Sequence, residues 1–242
     1  MSPDGEVRIG EPDARHISRV LRSRPGEVLT VVADDGTEYD VRLDRLGAQV
    51  VTGTVVARRR IRREPRARIH LLQALPKGAG MSEVCERMAE LGASSVWPVI
   101  TQRSVPRLEP GAAASRLLRW RSITREAAQL AGRHQVPAVH DVSPLGHAVE
   151  TLLAEVPDVQ LFVCHGDELR QGLATVMWTP DQPTALLVGP EGGFSPEEVQ
   201  QLAARGARPV SLGPRNLRTV LAGVVAATVL LARAGDLEAQ AG

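Results

Sequence analysis

The chain has 242 residues, 43% hydrophobic and 24% charged, which is ordinary globular composition and excludes a mainly disordered chain. That length buries one or two cores without staples. With 29 basic residues against 28 acidic, the net charge of +1 names no partner. Lys77 is the only lysine, so arginine carries the positive charge. Cys85 and Cys164 stand outside any metal-ligand spacing and give no disulfide framework. No pair of histidines has the H-x-x-x-H or H-E-x-x-H spacing of a catalytic metal site, and no metal is expected. Aromatic residues are scarce, so stacking platforms cannot be the main device of an RNA-binding protein. Met1 to Gly10 is polar and carries no secretory core. The longest apolar run, Val220 to Ala232, falls short of the ~20 residues that span a bilayer. A soluble, reduced, cytoplasmic protein without membrane attachment is expected.

In chain order, a short helix is predicted from Ala14 to Arg22, with Ile17, Val20 and Leu21 on one face. Pro25-Gly26 turns the chain into a β-branched run from Glu27 to Ala33. Asp34-Asp35-Gly36 is a hairpin signal. Thr37 to Leu43 then alternates, Tyr39, Val41 and Leu43 against Glu38, Asp40 and Arg42. Gln49 to Ala57 is a third strand. Residues 1–66 therefore read as a small β-rich domain, and short strands needing closure suggest a barrel. Arg58 to Arg68 holds seven arginines against Glu64 alone, with Pro65 inside. It reads as an interdomain linker or as a phosphate-binding stripe.

From Ile69 the pattern becomes α/β, and residues 67–242 read as a second domain. Ile69 to Leu75 is an apolar strand, and Ser82 can cap a helix to Leu91 with Val84, Cys85, Met88 and Leu91 inward and Gly92 ending it. Ser95 to Ile100 completes a βαβ unit, which implies a parallel sheet. Ala114 to Ala131 is amphipathic, with Leu117, Trp120, Ile123, Ala127 and Leu130 inward. Further helices are predicted at Leu145 to Val156, Pro196 to Arg205 and Thr219 to Ala234, and strands at Val159 to Cys164, Thr184 to Val188 and Pro209 to Leu212.

Two loops carry the chemistry. After the buried strand ending at Val188 comes Gly189-Pro190-Glu191-Gly192-Gly193, whose glycines let backbone turn tightly and approach a ligand. Ser195 as N-cap, Pro196 at the first helical position and Glu198 three residues on form a capping box. No Gly-Lys-Ser/Thr follows and G-x-G-x-x-G is absent, so neither a P-loop nor a dinucleotide fingerprint is present. The second loop, Leu212-Gly213-Pro214-Arg215-Asn216-Leu217-Arg218-Thr219, opens the last helix. Loops at the carboxyl ends of strands are where open α/β sheets bind ligands, and Arg215 and Arg218 suit an anionic contact. Between Arg103 and Arg133 seven arginines, Arg107 among them, meet only Glu109 and Glu126, a second basic zone that suggests a polyanion.

At these residues the sequence resembles the RsmE family of 16S ribosomal RNA uridine-N3 methyltransferases, in the SPOUT superfamily. The matching stretches are Arg15 to Arg22, Leu75-Pro76-Lys77-Gly78, Thr101-Gln102-Arg103-Ser104, Trp120 to Arg133, Val188 to Ser195 and Leu212 to Thr219. The resemblance implies a PUA-like β-barrel in residues 1–66 and a SPOUT-type α/β domain in 67–242, with a C-terminal trefoil knot near 185–222. It implies S-adenosylmethionine as cofactor, held by Gly189, Pro190, Glu191, Gly192 and Gly193 and by Leu212, Gly213, Arg215, Leu217, Arg218 and Thr219. A homodimer acting on 16S rRNA of the small ribosomal subunit or its assembly intermediate is implied as well. Arg19, Arg22, Arg60, Arg63, Arg103, Arg119 and Arg125 are the candidate RNA contacts. Negative charge develops on uracil as N3 loses its proton, and Arg133 and Arg218 are the candidates to stabilise it.

The sequence departs from the family in three places. The family opens with a Pro-Arg-Phe-Phe-like strand that this chain is expected to lack. Gln129-Leu130-Ala131-Gly132-Arg133 stands for Glu-Gln-Ser-Gly-Arg, and Leu217 to Ala222 stands for Leu-Arg-Thr-Glu-Thr-Ala, with Val220 and Leu221 as the apolar replacements. Two other readings stay open: a catalytically weak RNA-binding homologue, and a SPOUT methyltransferase acting on another RNA such as a tRNA ribose.

Overall fold

The computed structural model describes residues 5–33, 35–60, 62–104, 110–166 and 171–238. Asp34 of the expected hairpin and Arg107 and Glu109 of the second basic zone lie outside the described residues. The chain divides between Arg63 and Glu64 into two compact units, 1–63 and 64–242.

In the first unit, β1 (Glu6–Ile9), β2 (Val28–Val32), β3 (Thr37–Leu46) and β4 (Val51–Arg60) form an antiparallel sheet in the order β1-β4-β3-β2. The alternation expected along β3 holds at Tyr39, Val41 and Leu43, which are buried. Glu38 breaks it. It is also buried, because Arg59 Nε and Arg63 Nε donate to its carboxylate at 2.8 and 2.6 Å. Those hydrogen bonds, Arg63's first, hold the Glu38 carboxyl below the usual range. β1 falls in the polar N-terminal stretch that gave no strand signal. The expected helix is shorter and irregular: α1 (Asp13–Arg15) runs into a π-helical turn, His16–Val20. Leu21 N–H reaches back five residues to His16 O at 3.0 Å. That wider winding turns Val20 and Leu21 outward, to 66% and 53% exposure, while Ala14 and Ile17 stay in the core.

The second unit is a three-layer α/β/α sandwich on a parallel sheet, as the βαβ pattern predicts. β5 (Ile69–Ala74), β6 (Ser95–Ile100), β7 (Ala138–Val139), β9 (Gln160–Cys164), β10 (Thr184–Val188) and β11 (Arg208–Val210) lie in the order β11-β9-β10-β5-β6-β7, with β8 (Ser143–Pro144) also on β6. Neighbouring strand residues point to opposite faces. Leu71, Phe162 and Leu186 thus pack under α2 (Gly80–Leu91), α3 (Pro110–Leu130) and α6 (Thr219–Arg233). Leu72, Val163 and Leu187 pack under α4 (Leu145–Glu155) and α5 (Pro196–Ala204). Each fully buried leucine of this kind contributes about 1.5–3 kcal/mol.

Two expected details are corrected. α2 begins at Gly80 with Ala79 at its N-cap, so Ser82 lies in the first turn and does not cap. Gly92 does end it, in the left-handed region at φ 97°. On α3, Trp120 and Ala127 are buried and Leu117 and Ile123 half-buried, but Leu130 is 88% exposed. The helix stops at Leu130 and the chain turns away through Gly132, so the last apolar position has no floor beneath it. Thr124 and Ala128 are buried in that helix instead. Among the described residues no helix is long and apolar enough to cross a membrane.

Candidate active site

The site lies where parallel strands of the second unit end. β10 is buried throughout and stops at Val188. Glycine suits the next position: a β-carbon on Gly189 would stand 3.0 Å from Phe194 N and 3.1 Å from Gly193 C, a tight contact with the hairpin's own backbone. The hairpin closes when Gly193 N–H donates to Pro190 O at 2.8 Å. The helix behind it starts as the sequence predicts. Ser195 Oγ accepts from Glu198 N–H at 3.1 Å, and Glu198 Oε2 accepts from Ser195 N–H at 2.8 Å. The other carboxylate oxygen of Glu198 accepts from Gln102 N–H at 2.8 Å, fastening the loop after β6 to the same helix end.

The hairpin is tethered on three sides. Glu191 Oε1 accepts from Lys77 N–H at 3.0 Å, from the loop after β5. Arg103 Nη1 donates to Gly192 O at 2.8 Å, from the loop after β6. Thr219 Oγ1, from the start of α6, donates to Gly189 O. Arg103 was expected as an RNA contact, and its place as a tether is what sequence reasoning missed.

The second loop leaves β11 through Ser211, whose hydroxyl accepts from Gly213 N–H at 3.1 Å. Gly213 is left-handed at φ 100°. Leu212 and Leu217 are half-buried against the core, and Arg215 and Arg218 are exposed. Arg218 is the N-cap of α6 and makes no side-chain cap bond. Strand register sets the two loops level, since Val188 and Val210 both pair with Cys164 at the end of the intervening β9. Two strand spacings put the loop roots about 10 Å apart.

These residues fit S-adenosylmethionine. A β-carbon on Gly193 would have nothing within 4 Å, and one on Gly213 would meet only Arg215 Nη2 at 3.8 Å, so both glycines leave room that a side chain would fill. Leu212 and Leu217 present half-buried apolar side chains beside them, and the hairpin presents backbone polar groups.

The remaining expected site residues are dispersed. Arg133 stands at the opposite, amino-terminal edge of the sheet. It is 7% exposed. Nη2 and Nε donate to Glu64 Oε2 at 2.7 and 3.1 Å, Nη1 donates to Ala89 O at 2.8 Å, and Nη2 also reaches Ala93 O at 3.1 Å. Ala93 precedes β6 and Ala89 lies in the last turn of α2, so the structure does not bring Arg133 to the two loops. Arg19, Arg22 and Arg60 are exposed in the first unit, and Arg119 and Arg125 are exposed on α3 without an acidic partner among the described residues. The first basic run is less free than its sequence suggests. Arg59 and Arg63 hold Glu38, and Arg66 is bidentate to Asp181 at 2.6 and 2.7 Å. These acids are remote in sequence, which is why local counting missed them. Of the apolar departures, Val220 lies against the first residue of α2, where a β-carbon on Gly80 would meet its Cγ1 at 2.7 Å. Leu221 is 45% exposed.

A parallel α/β unit with two such loops is one that RNA methyltransferases use: the family model described as an RNA methyltransferase domain matches residues 62–231. Ribosomal RNA small subunit methyltransferase E of Bacillus subtilis is 30% identical over 225 residues, 90% of this chain and 86% of the relative. The solved structure of ribosomal RNA small subunit methyltransferase E from Neisseria gonorrhoeae, bound to S-adenosylmethionine, superposes with a TM-score of 0.81 at 28% identity, covering 95% of this chain and 93% of that one. A methyltransferase from Legionella pneumophila, also in complex with that cofactor, gives 0.80 at 30% identity, covering 96% and 94%. The chain belongs to the ribosomal RNA small subunit methyltransferase E family.

Proposed function

We propose that the protein methylates N3 of a uridine in 16S rRNA of the small ribosomal subunit, with S-adenosylmethionine as donor, as a cytoplasmic homodimer. The observation that carries this reading is the pair of level, tethered glycine loops at the carboxyl edge, in a chain whose relatives bind that cofactor. When bound, the cofactor supplies an electrophilic methyl group on a sulfonium.

The chain's own residues position and discriminate. Gly189, Pro190, Glu191, Gly192 and Gly193 form one wall. Leu212, Gly213, Arg215, Leu217, Arg218 and Thr219 form the other. N3 lies on the Watson–Crick edge, so the uridine must be unpaired or extruded before it can meet the donor. Its proton must leave as the N–C bond forms. The exposed Arg218 guanidinium, at the uncapped start of α6, is placed to meet the negative charge that then grows on the ring. A guanidinium has no lone pair to offer and does not take the proton. Arg133, with four of its N–H groups on Glu64 and two carbonyls, serves stability instead.

Further parts of the reading follow the family resemblance. The first unit is a PUA-like barrel that holds RNA through Arg19, Arg22, Arg60 and Arg63, and Arg119 and Arg125 extend the contact from α3. A trefoil knot spans residues 185–222. The packing of α6 on α2, β5 and β10 and the bond from Thr219 to Gly189 support it. The outer face of α6, Leu221, Val224, Val225 and Thr228, is exposed or half-buried and supports a dimer through that helix.

The test is mass mapping of small-subunit RNA after incubation of purified protein and cofactor with unmodified subunits. One N3-methyluridine is expected, with RNA binding that weakens steeply as salt rises. Methyl groups on a ribose, or none from folded protein, would overturn the reading.

A further inference from the structure

Gln73 is the penultimate residue of β5, between Leu72 and Ala74, all three fully buried. An amide there is costly unless it has work to do. Its Nε2 donates to Ala74 O at 3.0 Å and to Thr219 Oγ1 at 2.9 Å, while its Oε1 has no partner. A leucine or methionine would fill the same space, under Gly223 of α6, without an orphaned acceptor. Something other than packing explains the amide.

The bond to Thr219 supplies it. A threonine hydroxyl has one hydrogen and can swing between acceptors. Once Gln73 Nε2 donates to the Thr219 oxygen, that hydroxyl turns its own hydrogen to Gly189 O. The relay Gln73–Thr219–Gly189 therefore joins three parts of the chain: the core strand β5, the first residue of α6 where the second loop ends, and the root of the first loop. Arg103 and Glu191 hold the far side of the first loop from exposed positions. The relay is the buried link between the two loops.

We infer that Gln73 is a positioning residue for the methyl donor: through Thr219 it fixes the spacing of the two cofactor loops and so sets affinity for S-adenosylmethionine. This rests on the methyltransferase reading. In this reading Gln73 acts through its bond to Thr219.

Three variants test it: Gln73→Met, Thr219→Val and both together. Each is measured for S-adenosylmethionine affinity by calorimetry, for thermal midpoint, and for kcat and KM on small subunits. Gln73→Met is expected to weaken the donor about tenfold or more while the midpoint moves little, because the orphaned oxygen leaves with the lost bonds. KM for the donor rises and kcat at saturation is largely kept. A purely structural amide would instead lower the active fraction at unchanged KM. Because both substitutions break one relay, the double variant is expected to be no weaker than the weaker single. A folded Gln73→Met protein that binds the donor within twofold of the parent overturns the inference. Should Gln73→Met fail to fold, Gln73→Leu decides by the same criterion. Should the parent itself bind no donor, the methyltransferase reading falls and the relay with it.

Discussion

The two edges of the parallel sheet use polar groups differently. At the carboxyl edge side chains reach for loop backbone: Arg103 for Gly192 O, Glu191 for Lys77 N–H, Thr219 for Gly189 O. At the amino edge side chains close on one another and on the strand starts. Arg133 locks Glu64 to the end of α2. Asp236 accepts from Arg66 and Ala67 N–H at 2.7 and 2.9 Å. His70 Nδ1 and Trp97 Nε1 share Ser95 Oγ, each at 2.7 Å, with His140 stacked on Trp97. The same residue type thus shapes a site at one edge and fastens the fold at the other. An arginine's role follows from the edge it stands on, which its sequence neighbours do not reveal.

The comparison breaks most visibly at Arg133. Arg133→Ala leaves the mostly buried Glu64 carboxylate without its guanidinium, with Gln135 N–H still donating to it at 3.1 Å, and is expected to cost about 3 kcal/mol in chemical denaturation. Donor affinity of the protein that stays folded should be unchanged; a stable variant with lost turnover would restore Arg133 to the chemistry. Next comes the acid limb. Burial, with Arg68 and His140 adding to it, lowers the His70 pKa from 6.5 to about 4. The folded state thus favours neutral His70, and its contribution is complete above pH 6.5 and is lost as pH falls toward 4. That loss amounts to about 3 kcal/mol at most. His70→Gln should flatten this part of the stability–pH curve, and an unchanged slope would sink the assignment.

The carboxyl edge should respond in binding before stability. Gly189→Ala forces the hairpin open, a strain of about 1–3 kcal/mol, or roughly 5- to 150-fold in donor affinity by calorimetry. The smallest effect is expected from Ser195→Ala, about 1 kcal/mol of stability from the lost cap of α5. A larger loss there would mean that Glu198 cannot hold Gln102 alone.

Much of this was legible in the chain. The apolar strands, the Ser195 capping box, the glycine loops and the βαβ order follow from spacing and turn chemistry, all of them local. The losses came from contacts remote in sequence. Glu38 looked like the solvent side of a strand, yet Arg59 and Arg63 return from β4 and beyond to cover it. Arg133 looked like part of a basic zone because its partner, Glu64, lies 69 positions away. The helix face expected at Val20 and Leu21 presumes a period of 3.6, whereas the chain winds more widely through the π turn at His16–Val20. Gln73 could have been noticed as one amide in an apolar strand. Its partner could not.

Cys85 points from α2 into the core, where burial pushes its thiol up to about 12. A thiol in that state is inert to alkylating reagents until the helix lifts from the sheet. With Cys164→Ser in place, the rate at which a chromogenic disulfide modifies Cys85 would therefore clock the breathing of α2 in native buffer.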